Sequence, residues 1–584
     1  MKSLGTLAGA AATFAVAAVL PQTALRLPAD LLLVNGHVYT LAWDEPDREG
    51  RPAANAPHTN AGWRPDAQAI AVRGGRIVLV GTTMQALTLK GSRTRVVDIA
   101  GATVVPGLVD SHVHVAELGA SLERVNLVGV RTEAEAVERV EARARETPKG
   151  QWIVGWGWDE GAWANQYPDM TLLSARVPDH PVILRGLHSF AVWGNRLAFD
   201  RAGITRDSHP PDGGEIKKDV SGQPTGILLN NASRLLETAM PRPTPADLER
   251  RIIAGLKTLA SAGFVAVHEA GSDRALMHAF EDLDAKRELP IRVYVMLAAR
   301  DPDGLPEWQK KGPDRTTERM LVTRSVKAFY DGALGSRGAQ LLDDYADRPG
   351  HRGTGGAQYG FNADLLTAMM RRGFQISIHS IGDRANRETL DFYERAFAAN
   401  PAAREGRHRI EHAQVVSPSD IPRFAALGII ASMQPGHAVE DMAWAEQRLG
   451  HDRIKGAYAW RSLRRAGARM VLSSDLPGSE YNIFYELHAA ITRRDKKLQP
   501  PGGWYPDERL TPEEALRGYT TWAAYTSFAD HETGALAIGR WADVTVMDVD
   551  PLAAGSDAPE RLLNGSIRMT IVGGRVVFES GVVR

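Results

Sequence analysis

The sequence predicts a mixed α/β chain: an eight-stranded (β/α)8 barrel, a small β domain assembled from both chain ends, and an insertion after the first barrel strand. Three observations carry this expectation. Strand-like and helix-like segments alternate through the middle of the chain, the pattern of a parallel sheet with helical crossovers. Eight candidate strands fall there, the number such a barrel requires. Short β runs of one hairpin style stand near both termini, and the ends of a compact domain commonly lie close together.

Residues 1–28 read as a secretory leader or an uncleaved N-terminal anchor. Lys2 supplies one positive charge, Ser3–Leu20 is uncharged and Ala-rich, and Arg26 is the next charge. The expectation is export, to the periplasm or beyond, with an Ala-rich cytoplasmic extension as the alternative. Residues 29–105 and 535–584 make the β domain. Leu31–Val34 runs into Asn35-Gly36, and Arg73-Gly74-Gly75 turns Ala69–Val72 into Arg76–Val80. Near the other end, Asp543–Met547 and Ile567–Val572 precede Gly573-Gly574 and Arg575–Glu579.

Residues 106–534 hold the barrel. Its candidate strands are Val104–Val109, Val265–Glu269, Ile291–Leu297, Val326–Tyr330, Gln375–His379, Arg409–His412, Ile429–Met433 and Met470–Ser474. The span from about residue 125 to 245 is far longer than a crossover needs and reads as an insertion. It carries Trp152, Trp156, Trp158, Trp163 and Trp193, which either wall an apolar pocket or form its own core; the core is the preferred reading for most.

Composition narrows the function. The 584 residues include 69 Lys or Arg against 70 Asp or Glu, a formal charge of −1, with no long basic block to meet a nucleic acid. The expected partner is a small-molecule substrate, with no membrane contact beyond an N-terminal anchor; homo-oligomerisation is left open. There is no cysteine, so disulfides, thiolate zinc ligands and thiol nucleophiles are excluded. Any metal must be held by His, carboxylate or a modified side chain.

The strongest local signal is Pro106-Gly107-Leu108-Val109-Asp110-Ser111-His112-Val113-His114. Residues two apart on a strand face one side, so His112 and His114 can aim at one ion from the C-terminal mouth of the barrel, where barrel chemistry sits. His379, His412 and Asp475 close three later strands. Each alone could be a structural residue or cap, but together they fall at one mouth. Lys327 stands in Ser325-Val326-Lys327-Ala328-Phe329-Tyr330-Asp331. An ammonium has no lone pair for a metal. Lys327 either becomes a ligand by reacting with carbon dioxide, or pairs with Asp331, or holds a substrate carboxylate; the residues alone do not choose.

These residues, with β segments at both ends, resemble the amidohydrolase superfamily of metal-dependent hydrolases. Lys327-Ala-Phe-Tyr-Asp331-Gly332-Ala-Leu-Gly335-Ser336-Arg337, His379-Ser-Ile-Gly382-Asp383-Arg-Ala385, Ser432-Met-Gln434-Pro435-Gly-His437 and Ser474-Asp475-Leu-Pro477 are similar to its YtcJ-like branch, amidohydrolase family 3, which includes an N-substituted formamide deformylase. The resemblance spans about residues 30 to 580. It implies a TIM barrel with a flanking β-sandwich and one or two divalent ions, usually zinc. His112 and His114 would bind the more buried ion with Asp475, His379 and His412 the more exposed one, and N6-carboxylated Lys327 would bridge them. Two phrases depart from the branch, Gly186-Leu187-His188-Ser189 and Asn230-Asn231, and both touch the substrate side.

An ion held this way lowers the pKa of bound water to about 7. Asp475 is then the general base and can return the proton to a departing amine. The expected reaction is hydrolysis of an N-acyl or N-formyl amine, a carbon–nitrogen bond other than a peptide bond. His188 and His437 are candidate oxyanion donors and Arg337 a candidate carboxylate anchor; the bland readings are ligand orientation for the histidines and an ion pair with Asp343 or Asp344 for the arginine. His268 reads as structural. A deaminase of a heterocyclic amidine ranks second, because His379 is followed by Gly382-Asp383 rather than a His-x-x-Glu pair. A non-catalytic exported binding protein is the alternative of another class, and the complete donor set argues against it.

Overall fold

The computed structural model describes residues 27–159, 167–186, 191–211 and 213–581. Eight parallel strands form one sheet in chain order: β1 Leu108–Val113, β2 Phe264–Ser272, β3 Arg292–Ala298, β4 Leu321–Phe329, β5 Gln375–Ser380, β6 Arg409–His412, β7 Ile430–Met433 and β8 Arg469–Leu472. Most of their residues are buried, as expected of parallel strands covered on both faces. The barrel closes just beyond β8. Val113 bridges Leu476 in parallel, Asp475 N–H donates to His112 O at 3.0 Å, and His114 N–H donates to Leu476 O at 3.0 Å.

The first strand differs from the expectation of one run over Val104–Val109. The chain breaks at Pro106-Gly107: Thr103–Pro106 pairs with Val544–Met547 in a flanking sheet, and the barrel strand starts at Leu108. Gly107 makes the switch because there is no room for a side chain. A Cβ there would stand 2.4 Å from Val265 Cγ2 and 3.0 Å from the Asp543 carbonyl carbon.

The chain ends build two flanking sheets, the two layers of the expected β-sandwich. Leu31–Val34, Ala69–Arg73, Arg76–Gly81 and Arg95–Asp98 form a four-stranded sheet. His37–Val38, Thr103–Pro106, Val544–Met547, Ile567–Val572 and Arg575–Glu579 form a five-stranded one. Leu33, Ile70 and Val72 of the first share a core with Val104, Val546 and Ile571 of the second, so the two pack face to face. Arg292 Nε of β3 pairs with Asp543 Oδ2 at 2.7 Å, tying the sandwich to the barrel wall.

Between β1 and β2 lies a six-stranded sheet in the order Val125–Asn126, Ile153–Trp158, Val182–Gly186, Ala191–Gly194, Pro224–Asn230, Gly214–Lys218. Trp158 and Trp193 are fully buried in its core, with ring centroids 6.3 Å apart. Trp156 is exposed, and Trp163 lies outside the described residues. So does the leader up to residue 26. Among the described residues no helix is long and apolar enough to cross a membrane.

Gly107→Ala should lower the urea midpoint of the folded chain by the equivalent of about 1–3 kcal/mol, the usual cost of overpacking. An unchanged midpoint would show that the switch into the barrel tolerates a side chain.

Candidate metal centre

On β1, alternation puts Asp110, His112 and then His114 on one face. Asp110 is fully buried and accepts the Ser474 amide at 3.0 Å and its hydroxyl at 2.6 Å, locking β1 to the residue before Asp475. Burial raises the Asp110 carboxyl to about 7, and the Ser474 hydrogen bonds pull against that rise. Asp475 follows with φ +59°, and His412 at the end of β6 has φ +74°. Such left-handed conformations are rare for residues other than glycine, and here they fall at the end of β6 and just beyond β8.

The result is a cluster of imidazoles around one carboxylate. Asp475 Oδ1 lies 3.4 Å from His112 Nε2 and 3.5 Å from His114 Nε2, while Oδ2 lies 3.7 Å from His437 Nε2. His112, His114 and Asp475 form one group able to hold a metal ion, and His412, His437 and Asp475 form a second. The His379 and His412 rings are 4.5 Å apart. Lys327 Nζ stands 2.9 Å from His112 Nε2. Thus the structure brings together His112, His114, Lys327, His379, His412 and Asp475, and adds His437, expected only as an oxyanion donor.

Hydrogen-bond partners fix which nitrogens carry lone pairs. His112 Nδ1 faces Glu411 Oε2 at 2.5 Å, so it carries the proton and leaves Nε2 unprotonated. His412 Nδ1 faces Gln434 Oε1 at 2.9 Å, and Gln434 Nε2 donates to Ser473 Oγ at 2.9 Å. This orients His412 the same way. His379 Nε2 is buried without a hydrogen-bond partner.

Electrostatics suit the same use. Burial, reinforced by Lys327, lowers His112 to about 4; burial lowers His412 to about 3 and His379 well below its ordinary value, leaving neutral imidazoles. Burial pushes Asp475 up, but His112, then His114, His412 and His437 outweigh it and hold the carboxylate well below its usual range. Burial lowers Lys327 to about 8.

The sequence reading missed Glu411 and Arg409. Both are fully buried on β6, two residues apart on one face, with Arg409 Nε 2.7 Å from Glu411 Oε1. Arg409 also donates to Ser111 O at 2.7 Å and to Ser432 Oγ at 3.0 Å. Burial opposes the Glu411 charge, yet Arg409 and then His112 hold it far below the ordinary carboxyl range. The signal available was an Arg-x-Glu pair inside an otherwise apolar strand. His268, read as structural, is buried with Nδ1 3.2 Å from Arg409 Nη1.

Two expected contacts are absent from the described site. Asp331 accepts the amides of Ile381, Gly382 and Gln340 at 2.8–2.9 Å instead of pairing with Lys327. Arg337 forks onto Asp347 at 2.7 and 3.1 Å, not onto Asp343 or Asp344, so its charge is already paired. His188 lies outside the described residues.

Known proteins share this architecture. The chain is 30% identical to Protein LONG AFTER FAR-RED 3 of Arabidopsis thaliana, over 94% of this chain and 92% of that one. It is 30% identical to the putative amidohydrolase YtcJ of Bacillus subtilis, covering 88% and 96%, and 29% identical to the N-substituted formamide deformylase of Arthrobacter pascens, covering 83% and 91%. The crystal structure of an uncharacterized metal-dependent hydrolase from Pyrococcus furiosus superposes with a TM-score of 0.71 at 27% identity, covering 89% of this chain and 99% of that one. Residues 95–578 match the sequence model of the Amidohydrolase family, and with these relatives the chain belongs to that family, in its YtcJ-like branch.

Proposed function

We propose that the protein hydrolyses an amide-type C–N bond of a small N-acyl or N-formyl amine with the help of one or two divalent ions, zinc being the expected metal. One observation carries the reading: His112 Nε2 and His114 Nε2 converge on Asp475, while His379 Nε2 is buried without a hydrogen-bond partner, 3.8 Å from Asp331 Oδ1. A buried polar atom left unsatisfied is costly, and an ion would satisfy it. Imidazoles, of which His112, His379 and His412 are kept neutral by burial, with a carboxylate in a chain without cysteine suit zinc. The name of the Arthrobacter relative supports an N-formyl amine.

His112, His114 and Asp475 would hold one ion, and His379 and His412, with His437 in reach, the other. A divalent ion held there would supply an acidified water and polarise the substrate carbonyl. Asp475 takes the proton of the attacking water at a carboxylate oxygen and returns it to the leaving amine. His437, 3.7 Å from Asp475 Oδ2, orients that carboxylate or donates to the developing oxyanion. Glu411, itself held by Arg409, keeps His112 in the tautomer that presents Nε2. Lys327, drawn down to about 8 by burial, has a free-amine fraction at neutral pH that can add carbon dioxide and release a proton, giving a carboxylate beside His112.

The reading is tested by metal quantification together with a screen of N-formyl and N-acyl amines for free-amine release. Release of ammonia alone would replace it with a deaminase. Asp475→Asn should lose about 10²–10⁴-fold in kcat at matched metal content; full activity would remove Asp475 as the base. Glu411→Gln, which keeps the shape but not the charge, should weaken metal retention against a chelator about 10- to 100-fold, and unchanged retention would make Glu411 a bystander. For Lys327, two ions per chain and bicarbonate-dependent activity are expected. A single ion that survives Lys327→Ala at full occupancy would falsify the carboxylated bridge.

A further inference from the structure

Phe329, two residues beyond Lys327 on β4, lies over the inner donors. Its ring centroid is 5.1 Å from that of His379 and 4.8 Å from Lys327 Nζ. The Arg300 guanidinium also stacks on this ring, with Cζ 4.7 Å from the centroid. A permanent cation therefore stands one aromatic ring away from Lys327 and His379. It is exposed, whereas Lys327 is buried.

Arg300 is seated rather than loose. The amide before it, Ala299 N–H, donates to Lys327 O at 2.9 Å, which fixes the end of β3 at the level of Lys327. Its Nη2 donates to the Tyr359 carbonyl, and its Cζ lies 5.0 Å over the Tyr359 ring. Among the described residues no carboxylate forms an ion pair with it. The neighbouring Asp301 is engaged by the amides of Arg274 and Asp303. Arg337, by contrast, is neutralised by Asp347. Among the described residues Arg300 thus keeps guanidinium donors without a hydrogen-bond partner at the C-terminal mouth of the barrel, with Cζ within 5.0 Å of two aromatic ring centroids.

We propose that Arg300 anchors a substrate carboxylate, so that the preferred substrates are N-formyl or N-acyl amino acids rather than neutral N-acyl amines. A guanidinium matches a carboxylate in planar, two-pronged geometry, and stacking on Phe329 and Tyr359 lowers the entropy lost when it binds. The acyl group would lie toward Lys327 and His379 with the carboxylate outward, on the solvent side of Phe329. This substrate class rests on the amide-hydrolysis reading.

The test pairs N-formylphenylalanine with N-formyl-2-phenylethylamine, which differ only in the carboxylate, using metal-loaded protein. The wild type should favour the acid in kcat/KM, and Arg300→Met should cut that preference about 10- to 100-fold, chiefly through KM, with Arg300→Lys between. Equal use of both substrates by the wild type, or an unchanged preference in Arg300→Met, overturns the proposal. Calorimetric binding of N-formylphenylalanine separates the two readings. Binding that Arg300→Met weakens, without hydrolysis of either compound, keeps the carboxylate anchor and sinks the hydrolysis; equal affinity in both proteins sinks the anchor whatever is hydrolysed.

Discussion

The site depends on how the barrel closes. A sheet of eight parallel strands leaves two edges, and closure requires the backbone just after β8 to pair with β1. Here the pairing falls on residues of the candidate metal centre: the Asp475 amide bonds to His112 O and the His114 amide to Leu476 O, each at 3.0 Å. The seam therefore sets the distance between the carboxylate and the two histidines. Asp110 reinforces it from inside by holding Ser474 through both its amide and its hydroxyl. These bonds satisfy part of the edge that an open sheet would leave unpaired.

The second constraint is electrostatic. Arg409 and Glu411 are buried inside the barrel, and a buried ion pair recovers its desolvation cost only when geometry and extra hydrogen bonds are good. Arg409 meets that condition through Ser111 O and Ser432 Oγ, and Glu411 through His112. A hydrophobic pair of similar volume could fill the space without that cost, but it could not choose a tautomer for His112. The charge pair makes sense as an orienting device, which ties β6 to His112 on β1.

What was legible in the sequence follows from which signals are local. His112-x-His114, His379, His412 and Asp475 stood out because strand ends and period-two alternation can be read along the chain. Lys327 was placed with them, though its neighbour proved to be His112 across the barrel, because Asp331 turns to the amides after β5 instead. Glu411 escaped notice since its partner is 299 residues away. Arg300 had no motif at all; its place is set by a ring on the next strand. The chain ends were recognised as one small β domain, but the division of their strands between its two sheets was not. That division turns on Pro106-Gly107, where a run that looked like one strand serves two sheets.

His412 and Asp475 face each other across the cluster, both with φ near +60 to +75°. Each such residue costs about 1–3 kcal/mol and persists only when its surroundings over-determine it. The surroundings are visible: Gln434 is wedged between His412 and Ser473, and Asp475 is held by the seam. These restraints consist of protein–protein hydrogen bonds and need no ion to form. The donor set is thus arranged by the fold in advance, with strain at two of its members offset by the same bonds that close the barrel. Binding an ion would then spend little free energy on reorganising the protein, which is the condition for a tight site built from so few charged ligands.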